Sequence, residues 1–415
     1  MKMNLEIRPI LSALLRSKTG AILVAIQVAI SLAILVNAVY IVNQRLAVVA
    51  RPSGVAAENE VFSVGIDNRK LDDHATQIAM QKQDEATMRA VPGVASVIRS
   101  SQSPLSRSGS TTSIALERKQ TSASAHVSYY MTGDSAIKHW GLKLVEGRDF
   151  NPGEYLEIDQ SSSKEFVDVV IITKALSQKL FPGDASAIGK TIYFGLGDDA
   201  EATRVIGVVE RLQTHGANKG SKGEESVILP IRMSNNPYAI FSVRTEAGQR
   251  DKVMKDVDVA LRAASAAPII VKTRSMEEDR SKRYRADNGL AWMLIAVCVL
   301  LLLVTASGIV GISSLWVTQR RKHIGVRRAL GARRIDILRY FVTENLMITS
   351  FGIGCGLALA IALNQLLVSK LELTKLPTPY LLGGSVIFWI LGIIAVVGPA
   401  ARAASISPAT ATRST

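Results

Sequence analysis

The chain has 415 residues, of which 48% are hydrophobic, and it carries a formal net charge of +14. This combination indicates a membrane protein with a sizeable soluble part. The excess basic residues lie beside apolar stretches rather than in a patch on the soluble part, which argues against a nucleic-acid-binding protein. The two cysteines, Cys298 and Cys355, lie inside apolar stretches and cannot cross-link a soluble domain.

Four stretches lack charged side chains and are each long enough to cross a bilayer as a helix, which takes about 20 residues. We therefore predict one membrane helix before and three after a long polar segment, at residues 20–44, 289–319, 345–369 and 376–401. The first stretch is too long for the apolar core of a signal peptide, and no small-residue cleavage site follows it. Residues 1–19 have the spacing of an amphipathic helix on the cytoplasmic membrane surface, which equally fits an extension of the first span.

The polar segment at residues 45–288 has the mixed pattern of an α/β domain. Short runs rich in Val, Ile, Tyr and Phe predict strands at residues 61–67, 125–131, 167–173, 204–210, 225–231, 238–244 and 268–274. Helical spacing predicts helices at residues 81–91, 174–180 and 248–266. Runs of small polar residues predict loops at residues 100–113, 159–164 and 214–225.

Within this segment, FPGDASAIGKTIYF (residues 181–194) looks at first like a nucleotide-binding phosphate loop, G-x-x-x-x-G-K-[ST]. Five residues rather than four separate Gly183 from Gly189, so Lys190 is out of register with the amides that would hold a phosphate. The pattern therefore predicts a turn followed by a strand.

The distribution of basic residues predicts the topology. Their excess over acidic residues is concentrated in residues 1–19, 320–344 and 402–415, which carry +11 of the net charge of +14. The positive-inside rule therefore puts these segments, and both termini, in the cytoplasm and residues 45–288 outside. The basic run DRSKRYRAD (residues 279–287) departs from this rule, but long loops are translocated largely regardless of charge. We interpret it as the stalk between the outer domain and the membrane.

Motifs for catalysis or metal binding are missing from the sequence. The five histidines match neither H-E-x-x-H nor a metal-ligand spacing with the cysteines, and no G-x-S-x-G elbow supplies a hydrolase nucleophile. The predicted spans contain no Asp, Glu, Lys, Arg or His, whereas an ion-coupled transporter normally keeps such a residue there. We therefore expect no catalytic residue and no metal site in this chain, and an energy source outside the membrane.

The segment TQRRKHIGVRRALGARRIDILRYFVTENLMITSFG (residues 318–352) follows the second span and mixes apolar side chains with arginines. It predicts a helix, a turn at Gly331-Ala332 and a second helix that enters the membrane. A short helix of this kind can dock in a groove of a cytoplasmic partner and transmit its motion. Alternatively, the arginines only anchor the helix ends among lipid phosphates.

The run RRKHIGVRRALGARRIDILRYFVTENLMITSFGIGCGLALA resembles the signature of MacB/FtsX-type ABC transporter permeases, whose loop commonly reads R-x-x-E-I-G-[IV]-R-[RK]-A-L-G-A. Arg320 and residues 324–332 match it. His323 stands where the family usually has Glu, which leaves open any salt bridge that this glutamate makes. VPGV, GLKLVEGRDF, the 181–194 segment, VIGVVE and PAARAASISPATATR are also similar to elements of MacB-type permeases, so the resemblance extends over most of the chain.

The resemblance implies an integral membrane α-helical fold with four transmembrane helices, one plus three, and a large extracytoplasmic mixed α/β domain of two subdomains. It implies a multi-pass permease of the bacterial inner membrane that pairs with a second permease chain, identical or related. ATP and Mg would be bound by separate ABC ATPase subunits, so we expect that this chain is not itself an enzyme. A periplasmic adaptor and an outer-membrane duct are the further partners of MacB-like efflux systems.

In MacB-like permeases, closure of the ATPases moves the membrane helices and, through them, the external domains, a mechanism called mechanotransmission. The coupling element implied by the resemblance consists of Gly325, Arg327, Arg328, Ala329, Leu330, Gly331 and Ala332. The alternative is an FtsX-like, non-transporting regulator that activates a periplasmic cell-wall hydrolase, and the length of residues 45–288 favours the MacB-like arrangement. A third interpretation, an enzyme or receptor with a ligand-binding outer domain, has no site motif. The sequence indicates no cargo.

Overall fold

The computed structural model describes residues 18–67, 73–159, 162–217, 220–234, 238–371 and 375–405. Residues 1–17 and 406–415, which hold the predicted amphipathic segment and most of the predicted tail, lie outside the described residues. The chain divides into two compact units. A helical unit comprises Met1–Val49 and Asp287–Thr415, and an α/β unit comprises Ala50–Ala286.

The described residues form nine α-helices and thirteen strands. The helices are α1 Lys18–Val49, α2 His74–Arg89, α3 Ala136–Trp140, α4 Lys174–Leu180, α5 Arg250–Ala264, α6 Met276–Gln319, α7 Arg321–Ala329, α8 Arg334–Leu371 and α9 Thr378–Ala404. The strands are β1 Val61–Asp67, β2 Val94–Arg99, β3 Thr111–Ala115, β4 Ala125–Met131, β5 Leu144–Gly147, β6 Leu156–Asp159, β7 Val169–Thr173, β8 Thr191–Phe194, β9 Glu201–Val209, β10 Ser226–Leu229, β11 Ile231–Ser234, β12 Tyr238–Thr245 and β13 Ile270–Ser275.

Among the described residues, α1, α6, α8 and α9 are long and apolar enough to cross a membrane. This arrangement of one helix before and three after the α/β unit is the predicted one. Two of the helices begin well before the predicted spans, α6 at Met276 and α8 at Arg334. Charged side chains end an apolar stretch without ending a helix, because Glu, Lys and Arg have high helix propensity.

Small residues and amides hold the helical unit together. A Cβ at Gly352 would lie 2.8 Å from the carbonyl oxygen of Ala25, so only glycine lets α8 approach α1 this closely. The amide nitrogen of Gln27 donates to the carbonyl of Val304 at 3.0 Å, linking α1 to α6. The polar side chains of the predicted spans therefore serve in part as links between helices.

The first subdomain of the α/β unit is a four-stranded antiparallel sheet in the order β13-β1-β12-β2. Apolar side chains alternate along β1, as expected for a strand with one buried face. Phe62 and Val64 pack with Met88 of α2 and with Val253 and Val257 of α5 in one core. The two helices therefore cover this sheet.

The second subdomain is inserted between β2 and β12. Its seven strands have the order β5-β9-β7-β10-β4-β3-β8, and β8 also pairs with β9, so six of the strands form a closed ring. Val170, Ile172, Ile192, Val205 and Val227 fill its core. A small parallel sheet of β11 and β6 accompanies it. The two sheet systems confirm an α/β domain of two subdomains.

Three strand and loop predictions are wrong in detail. The predicted strand at residues 225–231 is divided at Pro230 into β10 and β11, because proline has no N–H to donate to a sheet. The predicted loop at residues 100–113 contains the start of β3 at Thr111. The predicted loop at residues 159–164 begins on Asp159, the last residue of β6.

The basic run at residues 279–287, interpreted above as a stalk, forms the first turns of α6. Its arginines form hydrogen bonds within the α/β unit, to which they belong: Arg280 donates to both carboxylate oxygens of Glu58, at 2.9 and 2.7 Å, and Arg283 donates to the carbonyl of Ala217 at 3.2 Å. Burial of Glu58 would raise the pKa of its carboxyl, but the hydrogen bond and charge of Arg280 hold that pKa below its usual value. The positive charges that depart from the topology rule are therefore structural.

His139 makes the α/β unit sensitive to acid. It is buried between the hydroxyls of Ser96 and Ser242, at 2.7 and 2.9 Å, and burial, with the charges of Arg244 and Arg89, lowers the pKa of the imidazole to about 3. An unfolded histidine has a pKa of about 6.5. Between these two values the unfolded chain binds the extra proton, so stability falls as the pH falls.

We expect the α/β unit to lose about 1.4 kcal/mol of unfolding free energy per pH unit below pH 6.5 through this histidine alone. His139→Gln should flatten that slope, because glutamine does not titrate. Urea unfolding of the segment 50–286 between pH 7.5 and 5, followed by the fluorescence of Trp140, its only tryptophan, measures the slope. Equal slopes in the wild type and the variant would contradict the assignment.

Candidate functional site

The 181–194 segment is a turn followed by strand β8, as predicted. Its amides are already used: Gly189 N–H donates to the carbonyl of Val205 at 2.8 Å and Lys190 N–H to that of Ala187 at 3.2 Å. The ammonium group of Lys190 pairs with Asp184. The geometry therefore differs from a phosphate loop, whose amides and lysine face the nucleotide. Within the described ranges, no group of three or more His, Cys, Asp or Glu side chains is placed to hold a metal ion.

The arginine-rich segment, residues 320–344, forms helix α7, a tight turn and the start of α8, as predicted. The turn has the hydrogen bonds of a Schellman motif. Ala332 N–H donates to the carbonyl of Arg327 at 3.0 Å, and Gly331 N–H donates to that of Arg328 at 3.1 Å. Gly331 has φ of +98°, which glycine adopts without strain. This glycine therefore ends α7 and fixes the direction in which α8 begins.

An ion pair joins the beginning of α7 to α8. Arg320 donates to both carboxylate oxygens of Glu344, at 2.9 and 2.7 Å, and only 1% of the Glu344 side chain is exposed. Both hydrogen bonds come from Nη1 of Arg320, so one guanidinium nitrogen bridges the two oxygens of a buried carboxylate. The sequence analysis singled out Arg320 but not its pairing with Glu344. The position of Glu344 could have predicted this ion pair, because an acidic residue at the border of an apolar stretch needs a cationic partner when it is buried.

The inner face of α7 packs on the end of α9. Ile324 contributes to a buried cluster with Phe341 of α8 and Ala403 of α9. Arg328 donates from Nη1 to the carbonyl oxygen of Ala404 at 3.0 Å, where the negative end of the α9 dipole favours a cation. Three contacts therefore fix α7: the ion pair of Arg320 at its start, the packing of its apolar face, and the hydrogen bond of Arg328 to the end of α9.

The seven predicted coupling residues do not form one surface. The exposed ones are Arg327, Ala329, Leu330 and Gly331. Gly325 is buried, and Arg328 and Ala332 are half-buried. Leu330 is 84% exposed, the highest value for a large hydrophobic side chain among the described residues, and Val326, one turn earlier on the same face, is 53% exposed. A rigidly held helix thus presents an apolar tip surrounded by arginines.

A cleft of about 570 Å³ lies beside α7. Its buried lining is apolar and consists of Ile324, Ile337 and Phe341. Its polar and aromatic lining includes His323, Arg327 and Tyr340. The sequence analysis singled out His323 but did not predict a cleft, because the residues of α8 that complete it are at least 14 positions from His323.

Two family models match the chain. Residues 21–274 match the MacB-like periplasmic core domain, and residues 295–412 match the FtsX-like permease C-terminal region. The chain belongs to the MacB/FtsX family of ABC transporter permeases. The matches cover both units described above, and the second includes the whole arginine-rich segment. With its four candidate spans, this MacB/FtsX-type permease is a multi-pass inner-membrane protein, and permeases of its family act with ABC ATPases.

Curated relatives of this permease are exporters by name. It is 28% identical over 273 residues to the macrolide export ATP-binding/permease protein MacB of Chromobacterium violaceum, covering 65% of this chain and 40% of that protein. It is 26% identical over 292 residues to the pyoverdine export ATP-binding/permease protein PvdT of Pseudomonas entomophila, covering 68% and 42%. The permease therefore spans about two fifths of the length of these relatives.

Among solved structures, the extracellular domain of the noncanonic ABC-type transporter YknZ from Gram-positive bacteria is similar to this permease. The sequence identity is 17% and the TM-score is 0.32, covering 51% of this chain and 99% of that domain.

Proposed function

We propose that this chain is the permease subunit of a MacB-like ABC transporter. ATP hydrolysis by separate ATPase subunits, which bind ATP and Mg, is coupled through the arginine-rich segment to movement of the α/β domain, and the result is efflux or export by mechanotransmission. Both termini and the arginine-rich segment face the cytoplasm. A second permease chain completes the transporter, with a periplasmic adaptor and an outer-membrane duct as further partners.

The observation that carries this proposal is the exposed apolar tip of an otherwise fixed helix. Leu330 is 84% exposed, although α7 is held by the Arg320–Glu344 ion pair and by packing on α9. Together with Val326, which is 53% exposed one turn earlier, Leu330 forms an exposed apolar patch, and such patches rimmed by polar residues mark interaction sites. The export functions in the names of the relatives, and the match of the arginine-rich segment to the family model, support the same conclusion.

The test is purification of the tagged, full-length chain from native membranes in mild detergent, followed by identification of bound subunits and an assay of ATP hydrolysis. We expect an ABC ATPase to be recovered and the isolated chain to have no ATPase activity. Recovery of the chain without an ATPase, or hydrolysis of ATP by the chain alone, would overturn the proposal.

Leu330→Asp should weaken binding of that ATPase by about tenfold or more, because it places a charge at the centre of the contact. The fold should be unaffected, since the side chain is exposed. Val259→Asp is the matched control: Val259 is also an exposed apolar residue, at 66%, but it lies on α5 of the α/β unit. Affinity is measured by titration of the purified ATPase against each variant. Equal affinities for both variants would show that α7 is not the docking element.

A further inference from the structure

The arginine-rich segment uses both of its carboxylates internally. Glu344 is buried and holds Arg320. Asp336 accepts the backbone N–H of Arg333 at 3.0 Å, through Oδ2, at the start of α8. A carboxylate in the first turn also compensates the positive end of the helix dipole. The segment has eight Arg and Lys side chains against these two carboxylates, so its exposed surface is predominantly cationic.

The cleft beside α7 concentrates this charge at a defined position. The guanidinium of Arg327 lies 5.1 Å from the ring centroid of Tyr340, an aromatic contact that orients it. In the part of the chain that the structure describes, neither Arg327 nor the exposed His323 has an ion-pair partner. A guanidinium has five N–H donors and an imidazole has at least one, so the cleft has donors available for an incoming acceptor.

We propose that this cleft receives an acidic side chain of the ATPase partner, with Arg327 as its main donor and His323 as a second one. This inference rests on the proposed function and names the chemistry of the contact. A glutamate fits the cleft best, because its carboxylate would meet Arg327 while its methylene groups contact Ile324 and Phe341. Leu330 supplies the apolar contact at the tip of α7, and the cleft supplies a charged contact that fixes the position of the ATPase along α7.

The apolar lining favours a protein side chain over a lipid headgroup. A lipid phosphate is bound mainly through charge, which the exposed Arg333 and Arg334 at the start of α8 already provide. If a lipid headgroup occupied the cleft, the apolar side chains of Ile324, Ile337 and Phe341 would face polar atoms rather than apolar ones. A side chain with a carboxylate on a short apolar stem can contact the apolar and the cationic part of the lining at the same time.

The experiment uses the full-length chain in detergent and the ATPase subunit that co-purifies with the wild type. Arg327→Glu should weaken binding about tenfold or more, and His323→Glu by a smaller factor, because each places like charges face to face. The matched control is Arg334→Glu, the same charge reversal at an exposed residue outside the cleft, which should change the affinity less than about twofold. Exchange of one acidic residue of the ATPase for lysine should restore binding to Arg327→Glu.

The outcomes separate this inference from the proposed function. If Leu330→Asp releases the ATPase but Arg327→Glu binds it as the wild type does, the docking role stands and the acidic contact in the cleft is wrong. If Arg327→Glu keeps its ATPase affinity but loses co-purifying phosphatidylglycerol, the cleft is a lipid headgroup site and the inference is overturned. Recovery of no ATPase with the wild type overturns both. Weakened binding by Arg327→Glu that no lysine exchange on the ATPase restores also contradicts a paired carboxylate.

Discussion

Arg320→Met should destabilise the arginine-rich segment by about 3–5 kcal/mol, because it leaves the carboxylate of Glu344 buried without a cation. Only 1% of the Glu344 side chain is exposed, and Arg320, its ion-pair partner, donates a hydrogen bond to each of its carboxylate oxygens. The start of α7 would then separate from α8. We expect a lower midpoint of thermal unfolding in detergent and loss of ATP hydrolysis coupled to the permease.

Two variants show whether the effect comes from the unpaired carboxylate. Arg321→Met removes an exposed arginine at the next position and should change stability by less than about 0.5 kcal/mol. In the double variant Arg320→Met/Glu344→Leu no buried charge remains, so most of the lost stability should return. An Arg320→Met variant as stable as the wild type would show that Glu344 does not need this partner.

Glu85→Gln should destabilise the α/β unit by a similar amount, about 3–5 kcal/mol. Glu85 of α2 accepts two hydrogen bonds from Arg232 of β11, at 2.9 and 3.0 Å, and both side chains are at most 6% exposed. Arg99 is buried nearby, and burial together with the charge of Arg232 lowers the pKa of its guanidinium to about 10. Without Glu85, two buried guanidinium groups would lack a counter-charge.

The chain contains a matched control for this variant. Lys82 and Glu157 also join α2 to the small sheet, at 2.7 Å, but their side chains are 54% and 40% exposed. Glu157→Gln should therefore cost less than about 1 kcal/mol. Urea unfolding of the segment 50–286 with each substitution, followed by Trp140 fluorescence, gives the comparison. Equal losses for the buried and the exposed pair would contradict the role assigned to burial.

The membrane helices and the helix–turn–helix of the arginine-rich segment could be predicted because their signals are local. An apolar stretch, or a glycine that ends a helix, is visible within one window of sequence. Strands β2, β3, β5 and β6 were missed because they are only four to six residues long and, apart from the β3–β4 pairing, have distant partners. Val145 in β5, for example, is exposed, so this strand has no apolar alternation to recognise.

The candidate site could be predicted only in part. The family motif located α7, but it did not separate exposed Leu330 from buried Gly325, because this depends on which face packs against α9. The Arg320–Glu344 pair and the cleft beside Tyr340 arise from residues on two helices joined by a turn. Sequence spacing alone does not give the direction of the second helix, which Gly331 sets through its left-handed backbone.

The insertion of one subdomain in the other determines the order in which the α/β unit can fold. In the first sheet, Val61 pairs with Arg244 and Phe62 pairs with Ser275, so β1 finds its neighbours only after about 180 to 210 further residues have been synthesised. The inserted ring, from β3 to β10, is complete by Leu229. During biosynthesis the ring can therefore form first, while β1 remains an unpaired apolar strand that is open to wrong partners. Nascent chains that stop before β12 should for this reason be the most dependent on chaperones.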